Sequence, residues 1–264
     1  MNAAQEEIQS RLLVAFNAFV ALFLSLSPTP ASGTEWDGAS RQAIVVITPH
    51  WESPEGILAT FESQKGQWRP AGPTIPITVG HKGLGWGVGL HRERSDEPQK
   101  REGDKRAPAG VFRLEFGFGA AAFREKTFPF RQVSENDRWV DDPASRFYNQ
   151  WTVLNDSRFP KDWNSAETMK RTDGIYDYVI VVSHNRQPTI PGRGSAVFIH
   201  SWFGPGKSTI GCTAMAKPEV KLLLGWLDLE AKPLLIQIPE DELGALVIPS
   251  SLKETIRKSM LEES

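Results

Sequence analysis

The chain reads as a mostly-β domain with a few helices packed on it. Short runs rich in β-branched and aromatic residues dominate, and only two stretches carry helical periodicity. Gly (22) and Pro (19) punctuate the chain into many turns. The regular strand–helix–strand alternation of a parallel α/β sheet is absent, so the class is α+β, with strands leading. Hydrophobic residues make up 40% of the 264, enough for a real core and too many for a disordered chain.

Taken in order, residues 43–48 (AIVVIT) form a buried strand. Residues 57–62 and 74–79 are further strands, the second interrupted by Pro76, which marks an edge or a bulge. Residues 83–89 (GLGWGVG) form a turn-rich loop. Its G-x-G-x-G spacing with no long helix behind it is not a dinucleotide fingerprint. Residues 91–106 are a charged, solvated loop, and 111–116 return as a strand. Residues 117–172 read as irregular, with turns at Asp141-Asp142-Pro143 and Asn155-Asp156-Ser157. Strong β runs follow at 176–182 and 196–201. A helix over 217–230 takes Pro218 in its first turn and sets Val220, Leu223, Leu224 and Leu227 on one face. A strand at 234–238 precedes a terminal helix over 251–262, opened by a capping box from Ser251 and Glu254.

The formal net charge of −2 argues against a dedicated nucleic-acid binder, which would carry a basic face. The single cysteine, Cys212, excludes an internal disulfide. Residues 12–26 (LLVAFNAFVALFLSL) are short for a membrane span and run into the small-residue stretch SPTPASG. Residues 1–33 therefore read as a cleaved export signal or, alternatively, a retained N-terminal anchor. Either places the protein in the periplasm or cell envelope, with membrane anchoring through this segment in the second case.

The chemistry concentrates in residues 194–215, GSAVFIHSWFGPGKSTIGCTAM. A strand delivers His200 at its end, a Gly-Pro-Gly loop turns the chain, and Thr209-Ile210-Gly211-Cys212 follows. A nucleophilic thiol needs a base, because a free thiol is mostly protonated at neutral pH, and imidazole is the usual one. It also needs amides aimed at the developing oxyanion, which a Gly-Cys turn supplies. Against this stands the commoner fate of a lone cysteine, a small buried hydrophobe. Other histidines, His50, His81, His91 and His184, lack metal-ligand spacing, so no metal is expected. His184 ends the strand before the His200 strand, which makes it a candidate substrate contact. The absence of C-x-x-C weighs against a thiol redox protein.

The segment resembles the L,D-transpeptidase catalytic domain, the YkuD-like family of bacterial cell-wall enzymes. His200 matches the family histidine, Thr209 the hydroxyl position, Gly211 the glycine and Cys212 the nucleophile. Upstream, Gly103-Asp104 with Pro108-Ala109-Gly110-Val111-Phe112 is similar to a second family segment, and Asp141-Asp142-Pro143 with Tyr148-Asn149 to a third. The resemblance spans residues 42–240, leaves 241–264 as a C-terminal helical extension, and implies a β-sandwich catalytic domain. It implies acyl transfer on peptidoglycan stem peptides: Cys212 attacks the carbonyl before a terminal D-Ala, His200 is the base, and the Ser201 carbonyl orients it. The Gly211 and Cys212 amides are then the expected oxyanion donors. No cofactor is implied, and the protein is expected to act as a monomer.

The sequence departs from the family pattern in three places. The His-to-Cys loop is short, Ile210 replaces a histidine, and Thr213-Ala214 stand where an Arg or Asn usually follows the cysteine. Arg101 and Arg106, near the Gly103-Asp104 match, are candidates to hold the substrate carboxylate instead. The alternatives are a hydrolase on the same nucleophile (an L,D-carboxypeptidase or amidase) and a non-catalytic cell-wall binding protein.

Overall fold

The computed structural model describes residues 38–124 and 127–262. The expected leader at residues 1–33 lies outside them. Fourteen strands run through the described chain: β1 (Gln42–Thr48), β2 (Glu55–Gln64), β3 (Gln67–Pro70), β4 (Ile75–Thr78), β5 (Leu84–Trp86), β6 (Ala107–Gly119) and β7 (Phe130–Gln132). They continue with β8 (Asp137–Val140), β9 (Trp151–Val153), β10 (Ala166–Thr168), β11 (Val179–Val182), β12 (Phe198–Ser201), β13 (Thr213–Met215) and β14 (Leu234–Pro239). Helix α1 covers Lys217–Trp226; α2 covers Ser250–Ile256 and runs on as a π-helical turn over Arg257–Leu261.

The mostly-β expectation matches this architecture, but the layering differs from a sandwich. The principal sheet runs β1-β14-β6-β11-β12-β13-β4-β2, and β2 pairs back to β1, so the sheet closes on itself like a barrel. Closure works because β1 is apolar from Ala43 to Ile47 and its polar ends, Gln42 and Thr48, are buried with hydrogen-bond partners. All seven of its residues are buried, with β14 parallel on one side (Val45 beside Ile236) and β2 antiparallel on the other (Val45 beside Ala59). A closed sheet also leaves its member strands no open edge to pair with another chain.

The alternation along β11 and β12 separates two apolar clusters. Ile180, Val182, Val197 and Ile199 join the main core with β1, β14 and α1. The intervening residues, Val179, Val181 and Phe198, face the other way into a second cluster with Phe118, Trp139 and Tyr176. Strands buried on both faces read as near-continuous apolar runs, which is why VIVV and the AVFI stretch leading into β12 were legible as strand.

That second cluster is roofed by a separate three-stranded sheet, β10-β8-β9, within the segment read as irregular. Its strands are three or four residues long, too short for a period-2 pattern to stand out. Tertiary packing stabilises them instead: Trp139 of β8 meets Phe198 of β12 edge-to-face at 5.1 Å. Asn149, 2% exposed and at φ 57°, ties this sheet to the barrel. Its Oδ1 accepts from Trp139 Nε1 (2.9 Å) and the Ala196 amide (3.2 Å), and its Nδ2 donates to the carbonyls of His184 (3.0 Å) and Asn185 (2.7 Å).

Smaller differences have local causes. Leu84–Trp86, read as loop, is the short strand β5 because it runs parallel to Ala107–Ala109 of β6. Pro76 sits in a strand flanked on both sides, but β4 meets β13 only at Thr78, so the missing N–H breaks no ladder there. The capping box does not form. Ser251 lies inside α2 with Oγ donating to the Gly66 carbonyl (3.4 Å), Pro249 takes the N-cap position, and Glu254 pairs with Lys258. Leu252, Ile256 and Met260 of this region are buried in the main core. Among the described residues no helix is long and apolar enough to cross a membrane.

Candidate active site

The site forms where β12 and β13 run side by side. They are parallel, with Ile199 beside Thr213 and His200 beside Ala214. One step back in that register, Cys212 stands beside Phe198. Phe198, His200, Cys212 and Ala214 therefore share one face of the sheet, so His200 and Cys212 project to the same side. Both line one cavity of about 240 Å³.

His200 is 8% exposed and its ring is held from two directions. Nδ1 bonds to the Ser201 carbonyl at 2.8 Å. A carbonyl can only accept, so Nδ1 carries the proton and Nε2 keeps its lone pair. The Tyr176 ring packs edge-on against the imidazole at 5.3 Å. Burial drives the histidine down to about 4, so the ring is neutral at physiological pH.

Cys212 is 6% exposed, and Sγ donates to the Ala196 carbonyl at 3.5 Å. Burial, and after it the nearby Glu167 carboxyl, push the thiol up to about 12. The resting pair is thus a neutral thiol beside a neutral imidazole. The loop before the cysteine is locked by Thr209, whose Oγ1 donates to the Cys212 carbonyl (2.6 Å) and accepts the Gly211 amide (3.1 Å). The Thr209 backbone in turn joins the strand edge, donating to the Val79 carbonyl (2.9 Å) and accepting from the His81 amide (2.8 Å). Gly211 adopts φ 154°, a backbone region that L side chains rarely enter. Because its N–H is engaged by Thr209, the Gly211 amide is not turned toward an incoming oxyanion, contrary to the expectation from sequence.

A second cavity of about 270 Å³ also reaches the thiol. It is lined by Lys100, Glu102, Lys105, Asp141 and Ala196 together with Cys212. Glu167, Ile210 and Cys212 line both cavities. Glu167 accepts a hydrogen bond from Tyr176 Oη (2.6 Å), and burial raises its carboxyl. The His200-side cavity carries two cations, Arg171 and Lys207.

The structure brings His200, Ser201, Thr209, Gly211 and Cys212 together, but not the other three sequence candidates. Arg101 is exposed and paired with Glu97 at 2.7 Å. Arg106 directs Nη1 to the carbonyls of Lys82 and Leu84, both at 2.7 Å, and serves to pin the β5 turn. His184 is 1% exposed with both ring nitrogens occupied: Nδ1 accepts the Val88 amide (3.2 Å) and Nε2 bonds to the Arg193 carbonyl (2.8 Å). Burial holds it at about 3. None of the three lines either cavity beside the thiol. Sequence reading missed Glu167, Arg171 and Lys207. The first two lie in or just after the small sheet, and Lys207 lies in the turn after His200, with no local signal marking any of them.

A thiol and an oriented imidazole thus share one face of a closed sheet, and two cavities reach the thiol. The chain belongs to the YkuD family, the L,D-transpeptidase catalytic domain, which matches residues 47–241. Members of this family act on peptidoglycan. No curated protein matches the chain. Among solved structures it is similar to the helical cell shape determining protein Pgp2 from Campylobacter jejuni, at 12% identity and a TM-score of 0.36. That likeness covers 76% of this chain and 51% of the other, so the chain spans about half the length of that protein.

Proposed function

We propose that this protein is an exported acyltransferase that remodels peptidoglycan stem peptides through a thioester on Cys212. The observation that carries the reading is the shared face of β12 and β13, on which a proton-accepting Nε2 and a thiol open into one cavity. In the first step Sγ bonds to the carbonyl carbon before the terminal D-residue, and the amide C–N bond breaks. The thiol proton passes to His200 Nε2 and from there to the leaving amine. In the second step an amine or water attacks the thioester, giving up its proton to His200, and Sγ leaves, taking that proton from Nε2 to restore the thiol.

Since thiol and imidazole are both neutral at rest, no thiolate is stored, and proton transfer accompanies attack. With the Gly211 amide held by Thr209, the Cys212 amide is the oxyanion donor that remains in this reading. Thr209 acts as a positioning residue, fixing the Gly211-Cys212 turn. The test is intact mass of wild type and Cys212→Ala after incubation with a disaccharide-tetrapeptide. A thioester adduct on wild type alone, with cross-linked dimers among the products, is the expected result. An adduct with only trimmed tripeptide makes the protein an L,D-carboxypeptidase. Neither adduct nor product from folded protein refutes the reading.

A further inference from the structure

The two arginines the sequence offered as carboxylate partners, Arg101 and Arg106, are engaged elsewhere. The chemistry of the proposed first step says where a cation that binds the carboxylate must stand. The leaving nitrogen has to reach His200, the group that protonates it. The leaving residue therefore occupies the cavity that His200 lines, not the neighbouring one that His200 does not reach. In an α-amino acid the carboxylate carbon is two bonds from that nitrogen. A cation that reads the carboxylate must accordingly line the His200 cavity.

Arg171 does so, and it is already oriented. Its Nε bonds to Asp173 Oδ1 (3.1 Å) and Oδ2 (3.1 Å), and its Nη2 also bonds to Asp173 Oδ2. Nη1 is the edge that Asp173 does not use. The guanidinium lies over the Tyr176 ring at 5.3 Å, and that same ring packs against His200. The guanidinium also contributes to the field that opposes protonation of His200. A planar, permanently charged fork held at two points suits a carboxylate better than a mobile ammonium. Lys207 on the same cavity adds charge without that orientation.

We infer that Arg171 is the specificity-determining residue that binds the free α-carboxylate of the leaving residue, restricting the enzyme to stem peptides with an unblocked C-terminus. The inference rests on the proposed acyl transfer and adds the substrate feature that the site selects. It also accounts for Asp173, a partner that orients the guanidinium through one edge and leaves the other available.

The experiment compares two muropeptide tetrapeptides, one ending in a free carboxylate and one in a carboxamide. Turnover is measured as kcat/KM on wild type, Arg171→Gln and Arg171→Lys. Binding is measured by calorimetry on each of the three in a Cys212→Ala background. A charge-assisted fork is worth roughly a 10- to 100-fold preference for the carboxylate. The expected result is that preference in wild type, its collapse to within about twofold in Arg171→Gln, and partial recovery in Arg171→Lys. A wild type without preference overturns the inference. So does an Arg171→Gln variant that loses equally on both peptides, because a purely structural role through Asp173 and Tyr176 would do that. If wild type turns over neither peptide yet binding keeps an Arg171-dependent carboxylate preference, the acyl-transfer reading falls and the carboxylate site stands. If binding shows no preference either, both fall.

Discussion

Alkylation of Cys212 by iodoacetamide, followed as a function of pH, probes the resting state of the thiol directly. Burial and Glu167 place the thiol at about 12. At pH 8 about one molecule in ten thousand is then thiolate, against roughly a quarter of a free cysteine whose pKa is ~8.5. A more basic thiolate is the stronger nucleophile, and a Brønsted slope of ~0.4–0.5 over that difference restores a factor of about 30. The net expectation is alkylation about a hundredfold slower than a free cysteine at pH 8, before any steric shielding by the 6% exposure is counted. The rate should climb about tenfold per pH unit from 7 to 10 with no plateau, where a free thiol levels off near pH 9. Glu167→Gln removes the second largest cause of the high value and should move the profile toward lower pH. Rates read by intact mass, with a small-peptide cysteine in the same tube, suffice. A plateau between pH 6 and 8, or alkylation at neutral pH as fast as the control, would refute the reasoning. It would show a stored thiolate–imidazolium pair.

Two further outcomes follow from the same geometry. Asn149→Ala leaves unpaired the indole of Trp139, the Ala196 amide and two carbonyls, in a buried position at positive φ. It should cost about 3 kcal/mol or more, seen as a fall of roughly 10 °C in Tm by calorimetry. Because the Ala196 carbonyl holds the thiol, alkylation of Cys212 should also accelerate. On acidification, His91 and His200 stay neutral down to about 4 and His184 down to about 3, whereas in the unfolded chain each takes a proton near ~6.5. The unfolded state thus binds more protons as pH falls. The stability is present in full above pH ~6.5 and is lost as pH falls toward the folded values, by about 2 kcal/mol for each histidine between pH 7 and 5. A urea midpoint that does not drop over that interval would contradict the buried, neutral assignment.

The reach of the sequence differs sharply between parts of this molecule. His200, Thr209, Gly211 and Cys212 lie within one strand–loop–strand, and the parallel pairing of its two strands brings them together, with the loop tied at Thr209 to Val79 and His81. The apolar runs within β1, β11, β12 and β14 were equally plain, because strands buried on both faces favour apolar residues at most positions. The small sheet was illegible for the opposite reason. Strands of three or four residues carry almost no periodic signal and exist because Trp139 and Asn149 pack and bond against the barrel.

Side-chain commitment was the other decision left to tertiary structure. Arg101, Arg106 and Arg171 are the same residue type in polar segments, and nothing local separates them. Arg106 meets the open carbonyls of Lys82 and Leu84, Arg101 meets Glu97, and Arg171 meets Asp173 on the wall of the His200 cavity. The strands that carry His200 and Cys212, and the placing of the two side chains in one strand–loop–strand, were legible in the chain because they depend on residues close in sequence. Closure of the sheet through β1 and β2, the protonation of the thiol and the identity of the cation beside His200 were decided only in three dimensions. Closure needs β14 beside β1 and β13 beside β4, the thiol is set by burial and by Glu167, and the cation is set by the packing that puts Arg171 over Tyr176 on the His200 cavity.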